Sequence, residues 1–288
     1  MRNIGYRLNR KVNMKCRNTE FKFGERTYIM GILNVTPDSF SDGGKYFDEE
    51  DAVRRAKAMI AEGADILDIG AESTRPGYTV ISDEEEIARL TPVVQRLLSE
   101  VEVPISIDTY KPAVAEAMLK LGVDIINDIW GLQRDPEMAN VIAKYDASVV
   151  VMHNQDGTDY EKDMVETVCD FLRESIAIGL KAGIKPENIV LDPGIGFGKT
   201  PEQNAHMMAR LGEINDLGYP ILLGTSRKSM IGKILDLPAE ERVEGTVATS
   251  VMGVVQGMDI VRVHDVKENA RAIKVSDAII RGVDSWIK

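Results

Sequence analysis

Acidic and amide side chains occur where several short apolar runs of this sequence end. Asp108 ends one run, Asn127 and Asp128 end a second, and Asp192 ends a third. Because buried polar groups are costly when they lack partners, such residues either cap loops or face a ligand that donates hydrogen bonds. Carboxylates accept hydrogen bonds and an amide both donates and accepts, so this set suits a flat heterocycle with an amino group and ring N–H groups.

Cationic side chains gather near the ends of the last two apolar runs, although the chain as a whole is acidic. These residues are Arg227, Lys228, Arg262 and His264. Arg262 and His264 are two positions apart and face the same side if the segment is a strand. The cluster predicts a phosphate site, and the alternative is ordinary pairing with acidic helix starts.

The segment GIGFGKT (194–200) looks like part of a phosphate-binding loop but does not fit a known motif. A Walker loop needs glycine where Pro193 stands, and a G-x-G-x-x-G motif needs glycine where Lys199 stands. We interpret the segment as a glycine-rich loop that passes close to a bound group, with Phe197 as a candidate lid residue.

Metal-binding patterns are sparse in the sequence. The chain has three histidines, and none forms a ligand-spaced pair, so we expect no tightly held transition metal. His206 lies in a predicted helix and is expected at the surface, while the role of His153 stays open. Mg²⁺ carried by substrate phosphates is compatible with this composition.

Apolar runs rich in Ile, Val and Leu alternate with segments of helical period from Thr27 onward. Eight strands are predicted at 27–35, 65–72, 104–110, 124–130, 147–153, 188–194, 220–226 and 259–265. Amphipathic segments such as 48–64, 82–101 and 161–184 lie between them, and Pro238 splits the segment before the last strand into two helical pieces. The order predicts an α/β fold consisting of a single (β/α)8 TIM barrel, with a doubly wound open sheet as the alternative. In a barrel, the polar strand ends would meet at one rim.

Composition limits the class of protein. There are 35 Lys and Arg against 46 Asp and Glu, a net charge of −11, which argues against nucleic-acid binding. Only two cysteines occur, Cys16 and Cys169, and no run is long and apolar enough for a membrane helix, so we expect a cytoplasmic protein with no membrane partner.

Residues 1–19 form a basic extension expected to be flexible, and residues 20–288 form the barrel. Translation starting at Met14, or a nucleic-acid-binding arm, are alternative explanations of the extension.

Seven segments together resemble the dihydropteroate synthase family. They are MGILNVTPDSFSDGG (30–44), AESTRPG (71–77), SIDTYK (106–111), INDIWG (126–131), LDPGIGFGKT (191–200), GTSRKS (224–229) and RVHDV (262–266). The resemblance implies a transferase of folate biosynthesis that joins 6-hydroxymethyl-7,8-dihydropterin pyrophosphate to p-aminobenzoate and releases pyrophosphate. It also implies Mg²⁺, inhibition by sulfonamides that compete with aminobenzoate, and a homodimer.

The resemblance also implies roles for individual residues. The residues similar to the family's pterin pocket are Asp108, Asn127, Asp192 and Lys228, with Arg262 stacking over the ring, and Met152 is expected among the substrate-binding residues. Those similar to its pyrophosphate and Mg²⁺ set are Asn34, Arg75, Arg262 and His264, with Asn34 as the metal contact. Those similar to its aminobenzoate side are Thr74, Pro76, Phe197, Lys228 and Ser229, closed over by Phe40 and Asp42.

The loop at 36–44, which contains Phe40, is rich in turn-forming residues and is expected to act as a lid, the alternative being an ordinary solvated loop. Two departures from the family concern loop packing and drug sensitivity: Met230 stands where an aromatic is usual, and GYTVIS follows Pro76. A pterin-binding methyltransferase that passes a methyl group to a corrinoid protein would share the Asp/Asn/Asp pocket. That alternative, however, needs neither the cationic cluster nor this loop. A binding barrel without turnover is a further alternative.

Overall fold

The computed structural model of the chain describes residues 13–35, 49–72 and 80–282. The strands in these ranges are β1 (Asn13–Cys16), β2 (Thr19–Lys22), β3 (Tyr28–Asn34), β4 (Ile66–Gly70), β5 (Ile105–Asp108), β6 (Ile125–Asp128), β7 (Ser148–Met152), β8 (Ile189–Asp192), β9 (Leu222–Leu223) and β10 (Ile260–Val263). The helices are α1 (Glu49–Glu62), α2 (Asp83–Glu100), α3 (Pro112–Leu121), α4 (Glu137–Lys144), α5 (Met164–Ala182), α6 (Pro201–Ala209), α7 (Ser229–Leu235), α8 (Val243–Val255) and α9 (Val266–Ile280).

Strands β3 to β10 form a parallel sheet in the spatial order β8-β7-β6-β5-β4-β3-β10-β9. A parallel bridge between Leu191 and Ile221 joins the two ends of this order, and the Leu191 amide donates to the Pro220 carbonyl at 2.8 Å. The sheet is therefore closed, which confirms the (β/α)8 barrel and excludes the doubly wound alternative. Each of the eight predicted strands is present, with shorter bounds.

Burial on both faces explains why the strands read as continuous apolar runs. Every residue of β4 and of β7 is buried. Side chains that face outward, such as Leu67 and Ile69, belong to the core shared with the helices, whereas Ile66 faces the barrel interior. The alternation along each strand thus builds two cores from one run of residues.

Local side-chain signals set the ends of the helices. Ser82 accepts a hydrogen bond from the Glu85 amide at the start of α2, and Thr200 forms a reciprocal capping box with Gln203 at the start of α6. Gly183 ends α5 in the left-handed conformation, which glycine adopts without strain. Among the described residues, no helix has the length and apolar character needed to cross a bilayer.

An antiparallel hairpin of β1 and β2 closes the barrel at the amino-terminal ends of its strands. Met14 and Phe21 are fully buried and share an apolar cluster with Met30, Ile125 and Ile260 of the barrel strands. The predicted boundary between a flexible extension (1–19) and the barrel (20–288) falls inside this hairpin. Residues 13–19 thus differ from that prediction, because their apolar side chains supply part of the barrel core. The hairpin was missed because each strand has only four residues.

We expect Phe21→Ala to lower the free energy of unfolding by about 3–5 kcal/mol, because it leaves a cavity at the closed end of the barrel. Urea unfolding followed by circular dichroism measures this change. Lys22→Ala, an exposed position on the same strand, is the control and is expected to stay within about 0.5 kcal/mol of the parent. Equal stability of the two variants would show that the hairpin does not contribute to the core.

Candidate active site

The polar side chains predicted from the strand ends lie at the carboxyl-terminal rim of the barrel. Asn34, Asp108 and Asp192 end β3, β5 and β8, and Asn127 lies in β6. Parallel strands of a closed barrel all end at the same rim, where TIM barrels carry their active sites. The topology therefore brings together residues that are far apart in sequence.

Arg262 of β10 connects these acids from across the barrel. Its Nε donates to Asp68 Oδ2 at 2.6 Å, and its Nη2 donates to Asp108 Oδ2 at 2.7 Å. Asn127 Nδ2 also donates to Asp68 Oδ2, at 3.2 Å. Arg262 of the last strand is thus in direct contact with the acidic side chains of β4 and β5.

Asp68 was not among the predicted site residues, although it is fully buried and lies in the middle of β4. Its sequence signal is the same as that of Asp108: one carboxylate inside an otherwise apolar run, here ILDIG (66–70). Asp68 was missed because it lies inside its strand, whereas the sequence analysis looked for site residues at the ends of strands.

Three buried side-chain oxygens of the described residues have no hydrogen-bond partner. They are Asp68 Oδ1, Ser106 Oγ and Asp108 Oδ1. All three belong to neighbouring strands, β4 and β5. Because an unpaired buried acceptor is costly, this region favours a ligand that brings N–H donors.

Burial dominates the electrostatics of the acids. Desolvation raises the pKa of Asp108 to about 7, against the opposing effect of Arg262, and nearby Asp68 raises it further. Desolvation likewise raises the pKa of Asp192 to about 6, although the amide of Gly194 donates to Asp192 Oδ1 at 2.7 Å. Burial alone would lower the pKa of Arg262, but Asp68 and Asp108 raise it. The guanidinium therefore stays charged, while the carboxyl group of Asp108, with its raised pKa, can change protonation near neutral pH.

Phe197 and Lys228 lie together beside Asp192. Lys228 Nζ is 4.1 Å from the centroid of the Phe197 ring, a cation–π distance. Ser229 follows Lys228 as the exposed first residue of α7. Met152, at the end of β7, is buried and pairs in register with Asp192. These four predicted residues therefore border the site on the side of β7 to β9.

His264 is oriented by Ser226, which the sequence analysis did not single out. The His264 amide donates to Ser226 Oγ at 3.1 Å, and the hydroxyl lies 2.9 Å from His264 Nδ1. In the neutral tautomer with its proton on Nε2, Nδ1 accepts from the Ser226 hydroxyl, and the N–H donor of His264 is directed away from Ser226.

Arg227, a member of the predicted phosphate cluster, forms an ion pair within the protein. Its Nε and Nη2 contact Asp265 at 3.0 and 2.5 Å, so the paired alternative applies to this residue. Asp265 sits at the start of α9, where the sequence already showed RVHDV. Arg227 follows β9 and Asp265 follows the neighbouring strand β10, so the fold brings these opposite charges together.

Asn34 and Asp108 approach each other across Gly70. A side-chain carbon on Gly70 would lie 4.0 Å from Asn34 Oδ1 and 3.9 Å from Asp108 Oδ2. Both oxygens therefore lie within ordinary contact distance of the Gly70 position. An amide oxygen beside a carboxylate is a hard-donor arrangement of the kind that Mg²⁺ accepts.

A buried ionic cluster lies beside the end of β4 and was also missed by sequence reasoning. Lys111 Nζ donates to Glu72 at 2.7 Å, to Glu86 at 2.8 Å and to the Ile81 carbonyl at 2.7 Å. It thereby connects the residues on either side of segment 73–79. The predicted site residues Phe40, Asp42, Thr74, Arg75 and Pro76 lie outside the described residues.

Taken together, the described site offers buried acceptors on one side, an aromatic ring with a cation on another, and an arginine that bridges the acceptors. Acceptors and an amide can grip a planar ring through its N–H groups, and Arg262 with His264 can stabilise negative charge that develops nearby. The hydroxyl of Ser226 lies within hydrogen-bond distance of His264 Nδ1, but its oxygen also accepts from the His264 amide, so this pair serves to orient the imidazole. The arrangement suits stabilisation of charge in a bond-breaking step rather than covalent catalysis.

Comparisons with known proteins agree with this geometry. The family described as pterin binding enzyme matches residues 30–264. A dihydropteroate synthase from Clostridium beijerinckii is 57% identical over 269 residues, covering 93% of this chain and 100% of that protein. The dihydropteroate synthase of Bacillus subtilis is 52% identical, covering 90% of each chain.

Solved structures show the same relationship. The dihydropteroate synthase of Clostridium difficile, crystallised in the presence of pteroic acid, is 58% identical with a TM-score of 0.88, covering 90% of this chain and 98% of that one. The Xanthomonas albilineans enzyme, solved with 4-aminobenzoic acid, is 39% identical with a TM-score of 0.88, covering 93% and 97%. The Yersinia pestis enzyme, solved with a sulfonamide drug complex, is 39% identical with a TM-score of 0.88, covering 94% and 100%. By sequence and by fold, this chain belongs to the dihydropteroate synthase family of pterin-binding enzymes.

Proposed function

We propose that this protein joins 6-hydroxymethyl-7,8-dihydropterin pyrophosphate to p-aminobenzoate, releasing pyrophosphate and forming 7,8-dihydropteroate. The observation that carries the proposal is the bridge from Arg262 to Asp68 and Asp108, which sets buried acceptors for a ring beside a cation for its leaving group. Relatives solved with pteroic acid and with 4-aminobenzoic acid support the same pair of substrates.

The pterin ring occupies the acceptor side of the site. Its amino and ring N–H groups donate to Asp108 and Asp192, and Asn127, whose amide nitrogen donates to Asp68, offers its carbonyl oxygen. The unpaired Asp108 Oδ1 gains a donor in this way. Lys228 and Met152 complete this pocket, and Arg262 covers the ring.

The pyrophosphate lies on the cationic side, against Arg262, His264 and Arg75. The C–O bond to pyrophosphate breaks before the amine attacks, so negative charge develops on the leaving group in the transition state. Arg262 and His264 stabilise that charge more than they stabilise the ground state, which is the condition for acceleration. The pterin methylene cation is delocalised into a ring held by Asp108 and Asp192.

The aminobenzoate approaches from the side of Phe197, Lys228 and Ser229, with Thr74 and Pro76. A neutral aromatic amine attacks a carbocation without prior deprotonation, so no strong general base is required. Phe40 and Asp42, which lie outside the described residues, are assigned by the family resemblance to the exclusion of water that would otherwise hydrolyse the cation. A sulfonamide in the Yersinia pestis structure supports inhibition at this side.

Magnesium is proposed as the cofactor, with Asn34 as its contact in the protein. Asn34 ends β3 at the rim, and its amide oxygen is a donor of the kind that Mg²⁺ takes together with phosphate oxygens and water. When bound, Mg²⁺ would neutralise part of the charge on the leaving pyrophosphate. Calorimetry of pyrophosphate binding by Asn34→Ala, with and without Mg²⁺, tests this contact.

The competing methyltransferase function is disfavoured by the cationic side of the site. A methyl transfer to a corrinoid protein releases no pyrophosphate and gives no role to His264 with its orienting Ser226. A pyrophosphate-coupled assay on mixing both substrates separates the two functions. It also separates an active enzyme from a barrel that only binds pterin.

A homodimer is proposed from apolar surface on α8 and α9. These helices pack together, and they expose Met252 by 53% and Ile279 by 79%. Large apolar side chains exposed on neighbouring helices are typical of an interface. Light scattering of the full chain tests the assembly.

A cytoplasmic location is also proposed, because Cys16 and Cys169 are both buried as free thiols.

Asp192→Asn is expected to lower kcat/KM for the pterin substrate by about 100-fold, equivalent to about 3 kcal/mol of transition-state stabilisation. The amide keeps the volume of the carboxylate but loses its charge and one acceptor. Steady-state pyrophosphate release measures the effect, with exposed Asp170→Asn on α5 as the control, expected to stay within about twofold. An unchanged rate would remove Asp192 from the pterin pocket.

Binding of 6-hydroxymethyl-7,8-dihydropterin is expected to weaken as the pH falls. Burial raises the pKa of Asp108 to about 7 and that of Asp192 to about 6, and only the ionised carboxylates accept fully from the ring. Between about pH 8 and about pH 5.5 the affinity should fall by about tenfold or more. Calorimetry measures this, and Asp108→Asn should lose the part of the dependence near neutral pH. Equal affinity at both pH values would contradict the assignment.

His264→Ala is expected to weaken binding of the pterin pyrophosphate by about tenfold, and to leave binding of the free pterin alcohol within about twofold. The change removes an N–H donor from the anionic side and leaves the ring pocket intact. Calorimetry with both ligands makes the comparison. Equal losses for both ligands would show that His264 serves the ring rather than the pyrophosphate.

A further inference from the structure

Lys199 is the cation of the glycine-rich loop after β8, and no part of the proposed chemistry uses it. In a phosphate-binding loop, a lysine in this position would face the ligand. Here the side chain turns inward, and the residue is only 7% exposed. Its ammonium must therefore serve the protein rather than a bound phosphate.

The ammonium of Lys199 lies inside a ring of acceptors from its own loop. Nζ is 3.0 Å from the carbonyl oxygens of Pro193 and Gly194, and 3.1 Å from that of Phe197. His153 Nδ1 is a fourth acceptor, at 2.9 Å. Burial lowers the pKa of Lys199 to about 7, and the protons of its amino group are shared among four acceptors that would otherwise be buried with few partners.

His153, at the end of β7, is suited to accept this hydrogen bond. Desolvation lowers its pKa to about 3, and the charge of Lys199 lowers it further, so the ring is neutral. Phe171 contacts the ring edge to face at 5.0 Å between centroids. The role left open for His153 in the sequence is therefore that of a fixed support for the loop.

The loop path itself needs this close packing. Gly194 has a φ of +68°, and a side-chain carbon there would lie 1.9 Å from the His153 carbonyl oxygen. Tyr160 donates its hydroxyl to the Gly198 carbonyl at 2.8 Å from the other side. The backbone of this loop is thus fixed by contacts with three residues, His153, Tyr160 and Lys199.

The same loop carries two residues of the site. Lys199 holds the carbonyl of Phe197, whose ring lies against Lys228 Nζ at 4.1 Å. Gly194, whose carbonyl also accepts from Lys199, donates its amide to Asp192 Oδ1. The Asp192 contact comes directly from the strand end, whereas the position of Phe197 depends on the folded loop.

We propose that Lys199 is a positioning residue for the aminobenzoate side of the site, because its buried ammonium fixes the loop that presents the Phe197 ring. This inference rests on the proposed function, and in particular on aminobenzoate binding beside Phe197. It assigns Lys199 no contact with substrate. Its loss should therefore affect aminobenzoate more than pterin.

The first test is Lys199→Met, which keeps the apolar stem and removes the donors. We expect the KM for aminobenzoate to rise by about tenfold and the KM for pterin pyrophosphate by less than about twofold. Lys181→Met, an exposed lysine on α5, is the matched control and should change neither value. Equal increases in both KM values would overturn the proposal. An inactive parent enzyme would instead refute the proposed function.

A double-mutant cycle separates positioning from general stability. If Lys199 acts through Phe197, the double variant Lys199→Met/Phe197→Ala should have the same aminobenzoate KM as Phe197→Ala alone. If the increases in aminobenzoate KM caused by the two substitutions multiply in the double variant, Lys199 and Phe197 act independently, and the proposal is overturned.

If Lys199→Met does not fold, Tyr160→Phe removes a milder support of the same loop. That variant should raise the aminobenzoate KM by about threefold with the pterin KM unchanged, and no change in either would overturn the proposal.

Discussion

The active site depends on one buried interaction, the guanidinium of Arg262 held between the carboxylates of Asp68 and Asp108. Two acids removed from water would repel each other, and a lone arginine in the same place would be unstable. Together the three side chains hold one another in a buried arrangement that none of them could keep without the other two. Removing one partner would leave an unbalanced buried charge, so the bridge is better understood as a device for geometry than as a source of stability. Asn127 shares the arrangement through Asp68 Oδ2.

This bridge leaves the site short of donors. Arg262 uses Nε and Nη2 on the acids, while Asp68 Oδ1 and Asp108 Oδ1 have no partner among the described groups. A ring with several N–H groups supplies what is missing, so substrate binding completes the hydrogen bonding of the apoprotein. The pKa of Asp108 is raised first by burial, the same burial that leaves its Oδ1 without a donor, and further by the charge of Asp68. Specificity for a donor-rich ring and sensitivity to pH thus have one physical origin.

The barrel was predictable from the sequence because parallel strands buried on both faces leave long apolar runs, and helix-ending residues such as Gly183 mark the boundaries. Site residues at strand ends, such as Asp192, were predictable for the same reason. The hairpin around Phe21 was not, because two four-residue strands give too short a pattern. Nor were Asp68 and Ser226, whose significance lies in partners 194 and 38 residues away in the chain. Side chains that act on other side chains have no local signature.

Positive charge in this acidic protein illustrates that limit. Counting cations near strand ends predicted an anion site, yet Arg227 pairs with Asp265, Lys111 joins Glu72 to Glu86, and Lys199 holds backbone carbonyls. Each of these cations is occupied by the protein itself, and each fixes a loop or a strand end. Sequence alone cannot tell a cation that binds a ligand from one that shapes the protein, because the two differ only in which acceptors the fold brings near. Recognition of pyrophosphate therefore depends on an ordered framework in which most of the local charge is already engaged.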